Sequence, residues 1–159
     1  MNMIPPLELC EADAAHLDEM MVVMDEAFDP AFGEAWNPAQ CLGILGLPGV
    51  WLTLARRGAE PVGFALSRIV FDEAELLLLG VRPAYRHQGA GRALLDHMIE
   101  KAGALGASRV HLEVREGNEA LHLYEGASFS QIGRRRGYYR GRDGQLFDAL
   151  TLAFSLARR

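Results

Sequence analysis

The most informative stretch of the chain is VRPAYRHQGAGRALL, residues 81–95, which lies between an apolar run and an amphipathic segment. The run LLLLGV at 76–81 precedes it, and such a run predicts a strand buried on both faces. Residues 89–104 carry apolar side chains three and four positions apart, which predicts a helix that ends near Gly103 and Gly106. A glycine-containing turn therefore joins a buried strand to the start of a helix.

The turn has the chemistry of a phosphate-binding loop. The first N–H groups of a helix bind phosphate oxygens together with the helix dipole, and Gly89 and Gly91 let a ligand approach the backbone closely. Arg86 and Arg92 add positive charge where a diphosphate would lie. We therefore expect this loop to hold an anionic ligand that carries a diphosphate.

Two well-known phosphate loops fit this stretch less well. A Walker A loop needs GxxxxGK[ST], which the sequence lacks. A dinucleotide fingerprint needs GxGxxG directly after a strand, whereas here residues 82–88 intervene and Leu94 replaces the third glycine. Glu113 does follow Gly91 at about the spacing of a ribose-binding acid. A dinucleotide-binding Rossmann domain thus stays as an alternative, and it predicts stabilisation by NAD.

The composition of the 159 residues is that of one soluble globular domain, for which we take 1–159 as the bounds. Half of the residues are apolar and 23% are charged, which excludes wholesale disorder. The charge-free stretch 35–55 is too rich in glycine, proline and asparagine for a membrane-spanning helix, and no signal peptide is visible. Cys10 and Cys41 form no CxxC pair, so we predict reduced thiols and a cytoplasmic protein.

The charge distribution divides the chain into two parts. Residues 1–50 hold nine acids and neither lysine nor arginine, whereas residues 51–159 hold sixteen basic residues and twelve acids. The net charge of −5 argues against a nucleic-acid binder, and the run Arg134–Arg136 is better explained as a basic rim near a coenzyme phosphate or as a solvated face. The histidines show neither HxxH nor HExxH spacing, so we expect no metal.

Periodicity and turn residues predict the remaining elements. Strands are expected at 7–10, 50–57, 61–71, 74–81, 109–115, about 129–138 and 146–156. Helices are expected at 13–28, shortly after Asn37, at 89–104 and at 118–124 with Asn118 as the N-cap. Gly80 inside its strand indicates a bulge or a close approach to the backbone. The fold class is α/β, with a mixed central sheet of about six to seven strands flanked by about four helices.

These motifs resemble those of a known family. The pattern V-x-P-x-x-[RQ]-x-x-G-x-G-x-x-L-L in residues 81–95 is that of the GNAT N-acetyltransferases, which bind the pyrophosphate of acetyl-coenzyme A there. HLEVR at 111–115, Asn118, LYE at 123–125 and Phe129 resemble the family's next strand and helix. RRRGYY at 134–139, with DEA, DG and DA at 72–74, 143–144 and 148–149, resembles the bacterial ribosomal-protein alanine N-acetyltransferases. The likeness covers about residues 50–156.

The resemblance implies a GNAT fold and acetyl-CoA as co-substrate. The residues that it places at the coenzyme are Leu79, Gly80 and Val81 along the pantetheine arm, then Arg86, His87, Gln88, Gly89, Ala90, Gly91 and Arg92 at the phosphates, and Asn118. Trp36, Tyr138 and Tyr139 are candidate walls for the acceptor, and they are equally ordinary core aromatics.

Acyl transfer from a thioester to an amine needs a neutral amine, a stabilised carbonyl oxygen and a protonated leaving thiolate. The resemblance implies Glu113 as the base and Tyr124 as the acid. The plainer alternatives are that Glu113 is a solvated strand residue or forms an ion pair with Arg115, and that Tyr124 simply packs at the end of its helix. Asn118 and Tyr124 are six residues apart where the subgroup usually has seven, and one helical residue is about 100° of rotation.

The sequence thus predicts an acetyl-CoA-dependent acyltransferase that acts on a primary amine. The leading acceptor is the N-terminal α-amine of a protein or peptide, and we expect no nucleic-acid or membrane partner and a monomer or a homodimer. The alternatives are a small-molecule amine acetyltransferase and a non-catalytic module that binds acetyl-CoA as a sensor.

Overall fold

The computed structural model describes residues 3–156. The strands are β1 (Leu7–Ala12), β2 (Val50–Arg57), β3 (Glu60–Val70), β4 (Glu73–Val81), β5 (Arg109–Arg115), β6 (Ser130–Arg140) and β7 (Leu146–Ser155). The helices are α1 (Leu17–Ala27), α2 (Pro38–Leu45), α3 (Ala90–Ala104) and α4 (Ala120–Gly126). The seven strands and four α-helices of the described residues 3–156 confirm the predicted α/β class with a mixed central sheet.

The seven strands form one sheet in the order β1-β2-β3-β4-β5-β7-β6. The pairs are antiparallel except β4 and β5, which α3 connects as a crossover between parallel neighbours. The paired part of β4 and β5 runs from Glu73 with Arg109 to Leu76 with Leu112. Both strands continue beyond this point, so a gap opens between Leu77–Val81 and Glu113–Arg115.

Apolar side chains cover both faces of the sheet. Leu94, Leu95 and Met98 of α3 belong to a core cluster on one face, while Met20 and Met24 of α1 belong to a cluster on the other. The strand β4 contributes to both clusters, as the run of leucines predicts. No helix among residues 3–156 is long and apolar enough to span a membrane.

Strand β5 alternates regularly between the two faces. Val110, Leu112 and Val114 point into the core under α3. Since successive side chains of a strand point to opposite faces, Glu113 and Arg115 lie on the other face, beside the gap. This alternation places Glu113, the predicted base, beside the gap between β4 and β5.

The prediction of a bulge at Gly80 is wrong, whereas the alternative of a close approach is correct. The register shifts between Leu66 and Ser67, which leaves Leu77 of β4 as the extra residue, and Gly80 pairs regularly with Phe64. A Cβ atom on Gly80 would lie 3.1 Å from the ring of Phe64 and 3.2 Å from the Cβ of Ala27. Gly80 therefore admits the end of α1 against the sheet.

Candidate active site

Two adjoining cavities lie at the end of β4. The larger cavity, of about 610 Å³, lies between the residues before α3 and the start of α4. The smaller cavity, of about 110 Å³, lies in the gap between β4 and β5. Both are lined by Phe28, Glu34, Leu79, Asn118 and Ala120, so these residues mark the junction of the two cavities.

The residues predicted for the coenzyme converge on the larger cavity. Its lining includes Leu79, Gly80, Val81, Arg86, His87, Gly89, Ala90, Gly91, Arg92 and Asn118. Gln88 is the one predicted coenzyme residue of the described chain that lines neither cavity. One groove therefore runs from β4 to the start of α3.

Backbone geometry at the start of α3 suits an anion. Gly89 is the N-cap, with φ +88°, and a Cβ atom on it would have no neighbour within 4 Å. The first N–H groups of a helix have no acceptor within the helix, and Ala90 and Gly91 line the larger cavity. These N–H groups can therefore donate hydrogen bonds to phosphate oxygens, and the helix dipole favours the negative charge.

The two arginines predicted to meet the diphosphate, Arg86 before α3 and Arg92 in its first turn, also form hydrogen bonds within the protein. Arg86 donates from Nε to the carbonyl oxygen of Val81 at 3.1 Å and from Nη2 to that of Ala27 at 2.8 Å. Arg92 donates to Asp96 at 2.9 Å. Arg86 thus ties the loop to the end of α1 while it lines the larger cavity.

Strand β4 offers free backbone groups to an extended ligand. From Leu78 onward β4 still pairs with β3, for example Leu79 with Ala65, but its other edge has no partner strand among residues 3–156. An extended chain can add to such an edge as a further strand. This edge lies at Leu79, in the junction of the two cavities.

The smaller cavity collects the predicted base, acid and acceptor walls. Its lining includes Trp36, Glu113, Tyr124, Tyr138 and Tyr139. Tyr138 and Tyr139 contact each other edge to face, with ring centroids 4.9 Å apart. The carboxylate, the phenols and the indole thus surround one small space.

The carboxylate of Glu113 is oriented from two sides. Its Oε1 accepts a hydrogen bond from Nε of Arg135 at 2.9 Å, and its Oε2 accepts one from the hydroxyl of Thr151 at 2.7 Å. The side chain is 10% exposed. The expected alternative, an ion pair with Arg115, is wrong because Arg115 pairs with Glu34 instead.

Tyr124 lies in the core with its ring against Phe129, at a centroid distance of 5.9 Å. It also lines the smaller cavity, and the shorter spacing from Asn118 does not turn it away, since α4 begins only at Ala120. Burial, together with the negative charge of Glu34, raises the pKa of the Tyr124 hydroxyl above its ordinary value. The phenol therefore keeps its proton near neutral pH.

Two acidic residues of the site escape prediction from the sequence. Glu34 lines both cavities, and its partners Arg115 and Asn118 come more than 80 residues later in the chain. Glu75 lines the smaller cavity, and its pKa is raised by burial and by the nearby charge of Glu113. Each looks like an ordinary charged residue in the sequence, because only the fold brings it to the junction.

The arrangement can perform acid–base chemistry on a ligand that spans both cavities. A carboxylate and a protonated phenol line the smaller cavity, and backbone donors line the entrance from the larger one. Residues 3–156 contain no cluster of three or more histidine, cysteine or acidic side chains arranged to hold a metal ion.

Comparisons with known proteins support the motif analysis. Residues 17–129 match the family model described as acetyltransferase (GNAT) family. The chain is 41% identical over 102 residues to the ribosomal protein bS18-alanine N-acetyltransferase of Escherichia coli K12, which covers 64% of this chain and 68% of that protein. It is 36% identical over 137 residues to the N-alpha-acetyltransferase RimI of Mycobacterium tuberculosis H37Rv, covering 83% of this chain and 82% of the relative.

A solved structure shows the same architecture. The crystal structure of the ribosomal-protein-S18-alanine N-acetyltransferase from Escherichia coli superposes with a TM-score of 0.86 and 29% identity. The match covers 97% of this chain and 96% of that one. Sequence and structure comparisons thus agree on the resemblance that the motifs predict.

Proposed function

The chain belongs to the acetyltransferase (GNAT) family, and on this premise we propose that it transfers the acetyl group of acetyl-CoA to the N-terminal α-amine of a protein or peptide. One observation carries the proposal: the larger cavity meets the smaller one at Leu79, and the smaller one holds Glu113 and Tyr124. The relatives named as alanine and N-alpha acetyltransferases favour an α-amine as acceptor.

In this proposal the coenzyme occupies the larger cavity. Its diphosphate meets the N–H groups at the start of α3, where Gly89 leaves open space. Its pantetheine arm lies along the free edge of β4 at Leu79–Val81. The thioester then reaches the junction, and the acceptor enters through the smaller cavity past Trp36, Tyr138 and Tyr139.

The proposed chemistry is a direct attack on the thioester. The amine nitrogen bonds to the carbonyl carbon, the carbon–sulfur bond breaks, and the electron pair leaves with sulfur as the coenzyme thiolate. Glu113 accepts the proton lost by the amine, and Tyr124 donates its proton to the thiolate. Exchange with solvent restores both residues.

The acceptor class follows from the cost of deprotonation. An α-amine has a pKa near 7.7–8.0, so the neutral form costs about 1 kcal/mol at pH 7. A lysine amine, with a pKa near 10.4, costs about 4–5 kcal/mol. A carboxylate is a weak base, so Glu113 is better matched to the α-amine than to a lysine amine.

Tyr124→Phe should lower kcat about 10- to 100-fold while the Kd for acetyl-CoA changes less than about twofold. The ring keeps its packing on Phe129, and only the proton donor is lost. Steady-state kinetics and calorimetric titration with acetyl-CoA measure the two quantities. An unchanged kcat would assign Tyr124 to the core alone.

The acceptor is tested by mass spectrometry on a mixed panel of amines. The panel contains peptides with different first residues, lysine peptides with blocked N-termini, and small polyamines. We expect acetyl groups on α-amines and at least 100-fold less on lysine side chains, because the lysine amine is mostly protonated. Label confined to small amines would favour the small-molecule alternative, and the absence of any turnover would favour a sensor module.

A further inference from the structure

The segment 29–36, which we call the strap, runs from the end of α1 to the start of α2 beside both cavities. The backbone of the strap packs closely against the backbone of the hairpin formed by β6 and β7. A Cβ atom on Gly33 would overlap the carbonyl oxygen of Arg140, and one on Gly141 would overlap that of Ala31. The N–H of Arg142 donates to the carbonyl oxygen of Pro30 at 3.2 Å. The position of the strap is therefore fixed by tertiary contacts.

Phe32 of the strap holds Arg115 from one side. The guanidinium carbon of Arg115 lies 3.7 Å from the centroid of the Phe32 ring, and this ring contacts Phe147 edge to face at 5.3 Å. A guanidinium over an aromatic face is attracted by the ring. Arg115 also lines the larger cavity, so the strap contributes to that wall through it.

Glu34 of the strap then holds Arg115 and Asn118 together. Its Oε1 accepts a hydrogen bond from Nε of Arg115 at 3.0 Å, and its Oε2 accepts one from Nδ2 of Asn118 at 2.7 Å. The side chains of Glu34 and Arg115 are 9% and 11% exposed. The carboxylate is thus a nearly buried acceptor that faces two donors at the junction.

This contact decides the orientation of the Asn118 amide. The Oδ1 of Asn118 accepts a hydrogen bond from the N–H of Ala120 at 2.8 Å, at the first residue of α4. A flipped amide would place its oxygen against the carboxylate of Glu34 and its NH₂ group against that N–H. Glu34 therefore fixes the start of α4, the helix that carries Tyr124.

We propose that Glu34 is a positioning residue, which acts through Asn118 and Arg115 to shape the junction for acetyl-CoA and for acyl transfer. This inference rests on the proposed use of the larger cavity by acetyl-CoA. The proposal gives one carboxylate of the acidic first third of the chain a role in the site, because Glu34 accepts hydrogen bonds from Arg115 and Asn118.

Glu34→Gln separates the charge of this residue from its size. A glutamine amide has one oxygen for two facing donors, so either Arg115 or Asn118 faces an NH₂ group. We expect the Kd for acetyl-CoA to rise about 5- to 20-fold, and kcat/KM to fall about 10- to 100-fold because the reacting groups lose alignment. Calorimetric titration and steady-state kinetics measure these changes.

Glu19→Gln is the matched control. Glu19 also binds an arginine through both carboxylate oxygens, with Arg56 at 2.7 and 2.8 Å, and it lines neither cavity. Because its ion pair is more exposed than that of Glu34, Glu19→Gln should lower the melting temperature by no more than Glu34→Gln does, while the Kd and kcat/KM stay within about twofold of the parent values. A Glu34→Gln protein whose Kd and kcat/KM behave like this control has lost an ion pair and nothing more, which would overturn the proposal.

A double-mutant cycle with Asn118→Ala tests the route of the effect. If Glu34 acts through Asn118, the double variant binds acetyl-CoA no more than about threefold more weakly than the worse single variant. If the Kd of the double variant rises by the product of the two single-variant increases, Glu34 and Asn118 act independently and the proposal is wrong. The binding cycle uses no acceptor, so failure to acetylate any amine would count against the proposed function and not against this inference.

Discussion

Gly89→Val should abolish the binding of acetyl-CoA, raising the Kd at least 100-fold. The backbone at Gly89 has φ +88°, which a β-branched residue adopts only at a cost of about 1–3 kcal/mol. The added side chain also projects into the open space of the larger cavity, since nothing else lies within 4 Å of its Cβ position. Strain and obstruction therefore act at the place where the diphosphate is proposed to bind, and calorimetric titration measures the loss.

Gly106→Val is the matched control for this substitution. Gly106 follows the other end of α3 with φ +97°, and its Cβ position also has no neighbour within 4 Å. It lines neither cavity, so this variant should lose stability without a change in Kd beyond about twofold. Equal Kd values for Gly89→Val and the parent protein would refute the phosphate-loop assignment.

Glu113→Gln should lower kcat about 100- to 10,000-fold while the Kd for acetyl-CoA stays within about twofold. The amide has nearly the same shape as the carboxylate, and it cannot accept the proton of the amine. The larger cavity, which does not include Glu113 in its lining, should bind the coenzyme as before. Single-turnover acetylation of a peptide and titration with acetyl-CoA separate the two effects.

Glu11→Gln provides the comparison for the loss of a strand carboxylate. Glu11 on β1 binds Nζ of Lys101 at 2.6 Å and lies outside both cavities. The kcat of the Glu11→Gln variant should equal that of the parent protein. Retention of most turnover in Glu113→Gln would remove Glu113 from the proposed mechanism and would direct attention to Glu75, which lines the same cavity.

Much of the fold follows from local sequence. The strand at Val50–Arg57 and the one at Arg109–Arg115 match the predicted bounds, because turns flank them and side chains alternate within β5. The short helix after Asn37 is also local, since Asn37 and Gln40 form a reciprocal capping box. The incorrect prediction of a bulge at Gly80 shows what local sequence cannot determine. The register of β4 depends on its pairing with β3 and on packing against α1.

The sequence by itself determined the family and the glycine-containing turn that leads into α3, because those features reside in contiguous motifs and strict periodicity. Only the tertiary structure decided that β4 and β5 separate after Leu76 and Leu112, and that Tyr124 reaches the gap. Tertiary contacts alone bring Glu34 to Asn118 and pair Arg135 with Glu113. The physical reason is that a buried carboxylate needs hydrogen-bond donors, and the fold supplies them from residues that are distant in the sequence. No spacing along the chain indicates which residues these are.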